Sequence, residues 1–428
     1  MRPVSQYLSI TVTAFLSFTL WAFPLMAQDD ELPLQVGVTG SSPSEERKNV
    51  AAILNSAEVQ GLILDIAEKP IGRAEFENAV ADEFFRVDDM VATGLVREEQ
   101  GRFHIDFNLL RIEDQESILH ISEQAGRELA AAFIDRRSEF ERLAQGHSQP
   151  HASHGELFFI VLGCFSLDWD GLQMTEARGY RAAAQRTIDG QSFTPWAKEK
   201  GASVSLKGLY WGSHNSTMSQ ATFTTFGDHH TGPRFGLPDM LWNIGGAFQK
   251  YEDNKDGRKA AMRMLSAYAN DALDDIGLVM FALRERDLAV DEIIAATGVD
   301  PDKLERILAL LETAQYVGQY DNKWGSKILV LGPDDLDMVT GMSDIGRQIM
   351  IDWHEQNYEQ IRSSSSKLTP IRNGVPFDRV YTEIWHFVFA IANRTLVEEG
   401  FFADPYAEDR AHKGFVPVIW ANGIAENP

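Results

Sequence analysis

Three segments of this 428-residue chain occur twice. "VQGLILDIAEKP" returns as "DIGLVMFALRERD", setting Gly61-Leu62 against Gly277-Leu278. "SEQAGREL" returns as "SDIGRQI", setting Gly126-Arg127 against Gly346-Arg347, and "GELFFIVLGCF" returns as "TEIWHFVFAIA", setting Glu156 against Glu383. Order is kept and the offset drifts only from 216 to 227 residues, so the series marks two related halves with small insertions. Any fold for the chain must therefore be one that can be built twice. Between the second and third matches each half has a polar connection, "GHSQPHASH" and "RSSSSKLTPIRNGVP", whose Ser, Pro and Gly content predicts exposed, flexible linkers.

In the first half "SPSEE" offers Ser42 as N-cap, Pro43 at the first helical position and Glu45 as capping-box partner for a helix reaching about Ala67. Shorter helices are expected over about 73–81 and 83–93, then a hairpin turning at Gln100-Gly101, then a long helix from about Asp114 to Ala144. The second half repeats the plan. Helix 258–285 leads to 290–297, Gly298 is a C-cap, and Asp300-Pro301 restarts the chain as N-cap and first turn. Leu304, Ile307, Leu308 and Leu311 share one helical face, a hairpin turns at Asp321-Asn322, and a helix covers about 335–362. Three helices, a β-hairpin and a trailing helix, best seen in "VDEIIAATGVDPDKLERILALLETAQYV", resemble the winged helix-turn-helix domains of small bacterial transcription regulators. The resemblance covers about 100 residues per half and implies a fold, not by itself DNA binding.

The expected class is α+β, mainly helical: winged-helix-like modules at 42–146 and 257–362, interleaved with α/β modules at 150–256 and 377–428 as a tandem repeat whose second copy is truncated. "KGFVPVIWANGIAENP" then matches the strand bearing Trp211, with Trp420 opposite it, and its sheet edge is left to be covered by the first copy, another chain or nothing. Residues 1–27 read as a signal peptide or N-terminal anchor and 28–41 as a linker. Arg2 precedes a largely apolar stretch from Leu8 to Ala27, and Asp29, Asp30 and Glu31 follow. That pattern predicts a periplasmic or secreted body, or one anchored by residues 8–27 and facing outward; the alternative is a start codon placed upstream of a cytosolic protein.

Composition bears on the partner. With 39 Lys+Arg against 63 Asp+Glu the chain carries −24, which repels phosphate backbones. The first candidate recognition helix, "DEFFRVDDMVATG", sets Asp82, Glu83, Asp88 and Asp89 against Arg86 alone; the second sets Asp300, Asp302 and Glu305 against Lys303 and Arg306. Nucleic acid is therefore not the expected partner; a protein or small ligand in the envelope is.

Cys164 is the only cysteine, so no intrachain disulfide or multi-cysteine zinc site exists, and its apolar setting predicts a buried thiol. The densest polar cluster is "TTFGDHHTGPRFGLPDMLW". Asp228, His229 and His230, with His214 across a hairpin formed around Asn-Ser-Thr, are candidate ligands of a divalent metal such as Zn²⁺. Adjacent histidines on a strand face opposite ways, so the same residues also read as a polar loop that satisfies backbone groups. Arg234, Asp239 and Trp211 are candidates for gripping a ligand. "EDNKDG" at 252–257 lacks the acidic twelfth residue of a calcium loop, and "DWD" at Asp168 and Asp170 is expected on a strand face or helix cap. Glu156 and Glu383 are expected at helix N-termini. No G-x-S-x-G, H-E-x-x-H or Gly-rich phosphate loop occurs. Three functions stay open: an exported acidic binding or scaffold protein, an envelope metal-assisted hydrolase centred on Asp228-His229-His230, and a ligand-sensing winged-helix regulator.

Overall fold

A computed structural model describes residues 32–40, 43, 45–188, 190–228, 236–240 and 271–423. It is a mixed α+β protein with helix outweighing strand. The expected leader (1–27), residues 28–31 and 41 of the expected linker, Ser42, His229, His230, Arg234 and the 252–257 segment lie outside the described residues, and the described part of that linker is mostly strand, Leu34–Gly40.

The chain falls into two compact units, each assembled from separate stretches: 1–121, 175–204 and 358–384 in the first, and 122–174, 205–357 and 385–428 in the second. The boundaries of these units fall inside all four expected modules: 42–146 divides at Ser122 and 257–362 at Tyr358. The 150–256 block divides at Thr175 and again at Ser205, and the 377–428 block divides at Trp385.

The first unit begins with β1 (Leu34–Gly40) and a helical stretch broken in two, α1 (Val50–Leu54) and α2 (Ala57–Glu68). The single helix expected here stops because Asn55-Ser56 ends one helix and caps the next: Ser56 Oγ accepts the Val59 N–H at 3.4 Å. Asn49, not Ser42, opens α1, accepting from Ala52 N–H. Then come β2 (Ile71–Gly72), α3 (Arg73–Ala79) and α4 (Val87–Ala92). The hairpin β3 (Val96–Glu99) and β4 (Arg102–Ile105) turns through Gln100 (φ 53°) and Gly101 (φ 74°), both left-handed as a type I′ turn requires. β2 pairs with β4, Ile71 facing Phe103. β5 (Asn108–Leu110) follows, then α5 (Ile112–Asp135) and α6 (Arg137–Ala144), which share the long helix expected from Asp114.

α7 runs from His154 to Ala177, far beyond the expected 155–165, and is apolar enough to span a membrane but mostly buried inside the protein. Its middle, Phe159–Asp170, is wound wide as a π-helix, with the Gly171 N–H reaching back to Ser166 O. A helix covered on every side has no polar stripe, which is why its periodicity says little about its ends. β6 (Arg186–Ile188) and β7 (Gln191–Glu199) complete the first sheet: β7 runs antiparallel to β1 and β6 and parallel to β5.

In the second unit β8 (Tyr210–Thr217) and β9 (Ala221–Asp228) form a hairpin. Thr217 pairs with Thr222, so Asn215-Ser216-Thr217 is strand rather than the expected turn. Residues 271–282 are helical, Leu288 bridges to Trp324, and α8 (Val290–Thr297) ends on Gly298 at φ 69°. Asp300 caps α9 (Pro301–Thr313) by accepting from Asp302 and Lys303 N–H. Leu304, Ile307, Leu308 and Leu311 are buried as one stripe, each stabilising by about 1.5–3 kcal/mol. β10 (Val317–Tyr320) and β11 (Lys323–Ser326) turn through Asp321 and Asn322, both left-handed; β12 (Leu329–Leu331) and α10 (Leu336–Ser364) follow.

α11 spans Phe377–Glu398, so Glu383 sits in its second turn, paired with Lys198 at 2.8 Å, not at its N-terminus. Glu156 does sit at a helix start, closing a capping box with Ser153. The final strand, β13 (Phe415–Ala421), is no open edge. It lies between β9 and β12, antiparallel to one and parallel to the other, with all seven residues buried.

The "GHSQPHASH" segment is pinned rather than flexible. Gln149 donates to Ile328 O at 2.6 Å and accepts from Val330 N–H at 2.8 Å, so it works as a short strand beside β12. His147 is buried against Asp335, which Arg284 also holds, and the His151 ring stacks on Tyr320 at 3.8 Å.

Candidate functional site

Of the residues singled out by sequence, the second sheet brings two into direct contact. β8 is the edge strand of the order β12-β13-β9-β8, and His214 on it faces Thr225 on β9. Residues 237–240 form a helical turn that carries Asp239 over this pair. His214 Nδ1 meets Asp239 Oδ1, and the Thr225 hydroxyl donates to Asp239 Oδ2 at 3.1 Å. Asp239 is 4% exposed and the His214 side chain 28%. A Cβ at Gly236 would lie 2.1 Å from Thr225 Cγ2 and 2.6 Å from Asp239 Oδ2, so only glycine lets the turn close this tightly. Leu237 N–H donates to the buried Tyr316 hydroxyl, whose pKa burial raises; burial likewise lowers that of His412, with the Asp239 charge opposing.

A buried carboxylate on Nδ1 fixes a histidine's ring and favours the tautomer whose Nε2 lone pair points outward. That form can act as a base or a metal ligand. His214 could therefore contribute one nitrogen to a metal, with Asp239 orienting it. Among the described residues no group of three His, Cys, Asp or Glu side chains converges as a metal site.

Asp228 stands elsewhere. It pairs with Tyr210, three residues along β9 from the His214–Thr225 pair, so the two side chains are separated by roughly 10 Å of strand. Its Oδ2 accepts from Tyr406 Oη at 2.6 Å and from Gly208 N–H at 2.5 Å, tying two loops to the end of the sheet. Trp211 packs edge-on to Phe387 of α11 at 5.2 Å, a core-facing role.

Two buried carboxylates set aside by sequence lie inside α7, neither on a strand nor at a cap. Burial raises the Asp168 pKa well above its usual value. Burial also raises Asp170, to about 6, against the opposing pull of Arg347, 3.7 Å away, and Ser343. Ser166 Oγ meets Ser343 Oγ at 3.5 Å, so positions 166 and 170 form one face against α10. The signal was present: two aspartates inside a helix otherwise apolar enough for a core. Cys164, in the same helix, is a buried thiol outside any disulfide, as its apolar setting predicts.

Compared with protein-family models, with curated proteins and with solved structures, the chain matches none of them.

Proposed function

We propose that the chain is an exported, acidic binding or scaffold protein of the cell envelope, built from two winged-helix-like modules used for protein or ligand contacts. One observation carries the choice against DNA: four of the cations on or beside the would-be DNA-facing elements are ion-paired with the protein's own carboxylates. Lys303 of α9 is held by Asp271 and Asp275, and Lys323 of β11 by Glu292. Arg73 bridges Asp88 and Glu98, and Arg47 binds Asp89. Phosphate affinity comes from cations that are available to replace counterions, so these groups contribute little. The test is fluorescence anisotropy with random duplex DNA at about 50 mM salt. The reading requires no saturable binding, whereas binding whose logarithm falls steeply with salt would favour the regulator. A reporter active only outside the cytoplasm, fused after residue 27, tests export.

The duplication belongs to the same proposal, with a shifted frame. Support comes from the sheets: β1, β7 and β5 are ordered as β9, β13 and β12 are, antiparallel then parallel about a central strand. In this frame the central strand of the second copy is β13, matching β7 of the first. The matched glycines add a second support. Gly126 on α5 lies against Val388 and Ile391 of α11, and Gly346 on α10 lies against Ser166 of α7, so each meets the matched helix of the other half. That exchange is what a pseudo-twofold pairing of the halves entails.

The hydrolase is the second reading, favoured by the carboxylate-oriented His214. Native mass spectrometry of the untagged chain, with and without a chelator, tests it. A zinc-sized increment lost in His214→Ala supports that reading, and a metal-free chain rejects it.

A further inference from the structure

Asp106 follows β4 and is 6% exposed. Three guanidinium groups converge on it from three different elements. Arg186 of β6 lies 2.8 Å from Oδ2; Arg379 of α11 lies 3.4 Å and Arg97 of β3 3.9 Å from Oδ1. A further acid paired with the cluster is Glu99, 3.5 Å from Arg97 and largely exposed. Counting both acids, one positive charge is left over at a half-buried spot in a chain of net −24.

The arrangement is built rather than incidental. Gly94 (φ +73°) and Gly374 (φ +84°) are left-handed, and a Cβ on them would fall 2.4 Å from Arg186 Nε and 2.5 Å from Arg97 Nη2. Two guanidinium groups thus occupy space beside glycine backbone that a side chain at either position would take. Gln185 Nε2 donates to Gly94 O and Asp106 O, and Asn108 Nδ2 donates to Arg379 O, which fixes the loops carrying the arginines. Holding three like charges within 4 Å of one carboxylate costs repulsion that a single planar anion with two oxygens offsets only in part.

We infer that this cluster is a binding site for a phosphate group. Three guanidinium forks arriving from three directions match a tetrahedral oxyanion better than a second carboxylate. Asp106 is the resident anion that keeps the arginines in place between binding events. The amide oxygens Gln185 Oε1 and Asn108 Oδ1 are buried with no hydrogen-bond partner among the described residues. They are acceptors for the proton of hydrogen phosphate or for a hydroxyl of a phosphomonoester, which sulfate lacks. The positive surplus also focuses anions that the rest of the surface repels.

The test is calorimetric titration of the full chain with inorganic phosphate at constant ionic strength, with glycerol phosphate and sulfate as parallel arms. Saturable one-site binding is expected, with phosphate and glycerol phosphate separating free anion from monoester as the preferred form. Arg186→Gln and Arg379→Gln should each weaken binding about tenfold or more, while exposed Arg362→Gln leaves it unchanged. Asp106→Asn, which removes the competing carboxylate, should tighten binding several-fold, and it reads the site even if an arginine variant fails to fold. Absence of saturable phosphate binding in both the parent and Asp106→Asn overturns the assignment, as does equal affinity in folded arginine variants. Sulfate binding as tight as phosphate overturns the role given to the two amide oxygens.

Discussion

His354 is fully buried in α10, its ring 4.8 Å from Trp385, and its Nδ1–H donates to Met350 O at 2.7 Å. Burial lowers its pKa from 6.5 to about 4, the bond to Met350 opposing. The folded state therefore keeps this ring neutral while the unfolded chain protonates it. Stability is intact above the unfolded value near 6.5 and is lost as pH falls toward the folded value of about 4. Linkage puts the loss at roughly 2 kcal/mol by pH 5 and roughly 3 kcal/mol by pH 4. Asp170 works in the opposite direction over the same range. Its raised pKa of about 6 means that acid relieves a cost present at neutral pH, so the parent's total pH profile is not diagnostic. The informative quantity is the difference between the parent and His354→Leu, which fills similar volume and does not titrate. Urea unfolding followed by tryptophan fluorescence, from about pH 7.5 to 4, should show the parent losing that increment relative to the variant. Parallel curves across the range would refute a neutral, buried imidazole.

Asp170→Asn should gain stability on its parent at neutral pH, by up to about 3 kcal/mol less the lost Arg347 contact, and the gain should vanish below about pH 4; the same unfolding series measures it. Gly126→Ala would put Cβ 2.7 Å from Val388 O and should cost about 1–3 kcal/mol, whereas Gly61→Ala meets nothing within 4 Å and should stabilise α2 by roughly 0.5–1 kcal/mol. Cys164 should resist thiol reagents until the protein unfolds, since it is buried; native-state labelling at the rate of a free thiol would contradict its place in α7. ¹⁵N shifts of His214 should report the Nδ1–H tautomer, and Asp239→Asn should mix the two tautomers.

Sequence reading went furthest where the cause is local. Gln100-Gly101 and Asp321-Asn322 set their own left-handed turns, and Gly298 with Asp300-Pro301 ends one helix and starts another within a few residues. The break after Leu54 was also local, and Asn55-Ser56 could have been read as a stop followed by a cap. What escaped depends on partners far along the chain. "GHSQPHASH" has a linker's composition, but Gln149 is held by residues 179 and 181 positions away. β13 looked like a stranded edge because its neighbour β9 lies nearly 200 residues upstream. The site shows the same division. His214 and Asp239 were each named, yet their contact depends on a glycine-tight turn that no spacing rule specifies, while Asp228, adjacent in sequence to the histidines, is claimed by Tyr406.

The two charge patterns on this protein argue for different uses of its surfaces. Around α4 and α9, acids outnumber bases and several of the bases are ion-paired with the protein's own acids, a pattern that disfavours a polyanion. Around Asp106 the balance reverses, and the excess is positive and half-buried. A winged helix that read DNA would need its available cations on the helix and wing, spread along the surface. Here Arg97 reaches the cluster from β3, the first strand of the hairpin itself, but points its guanidinium at Gly374 and Asp106. The β3–β4 hairpin thus directs a cation into the proposed anion pocket rather than along a polyanion track. The charge reversal therefore favours recognition of one small phosphate group over recognition of a nucleic-acid backbone, and it predicts that excess duplex DNA will not compete with phosphate in the same titration.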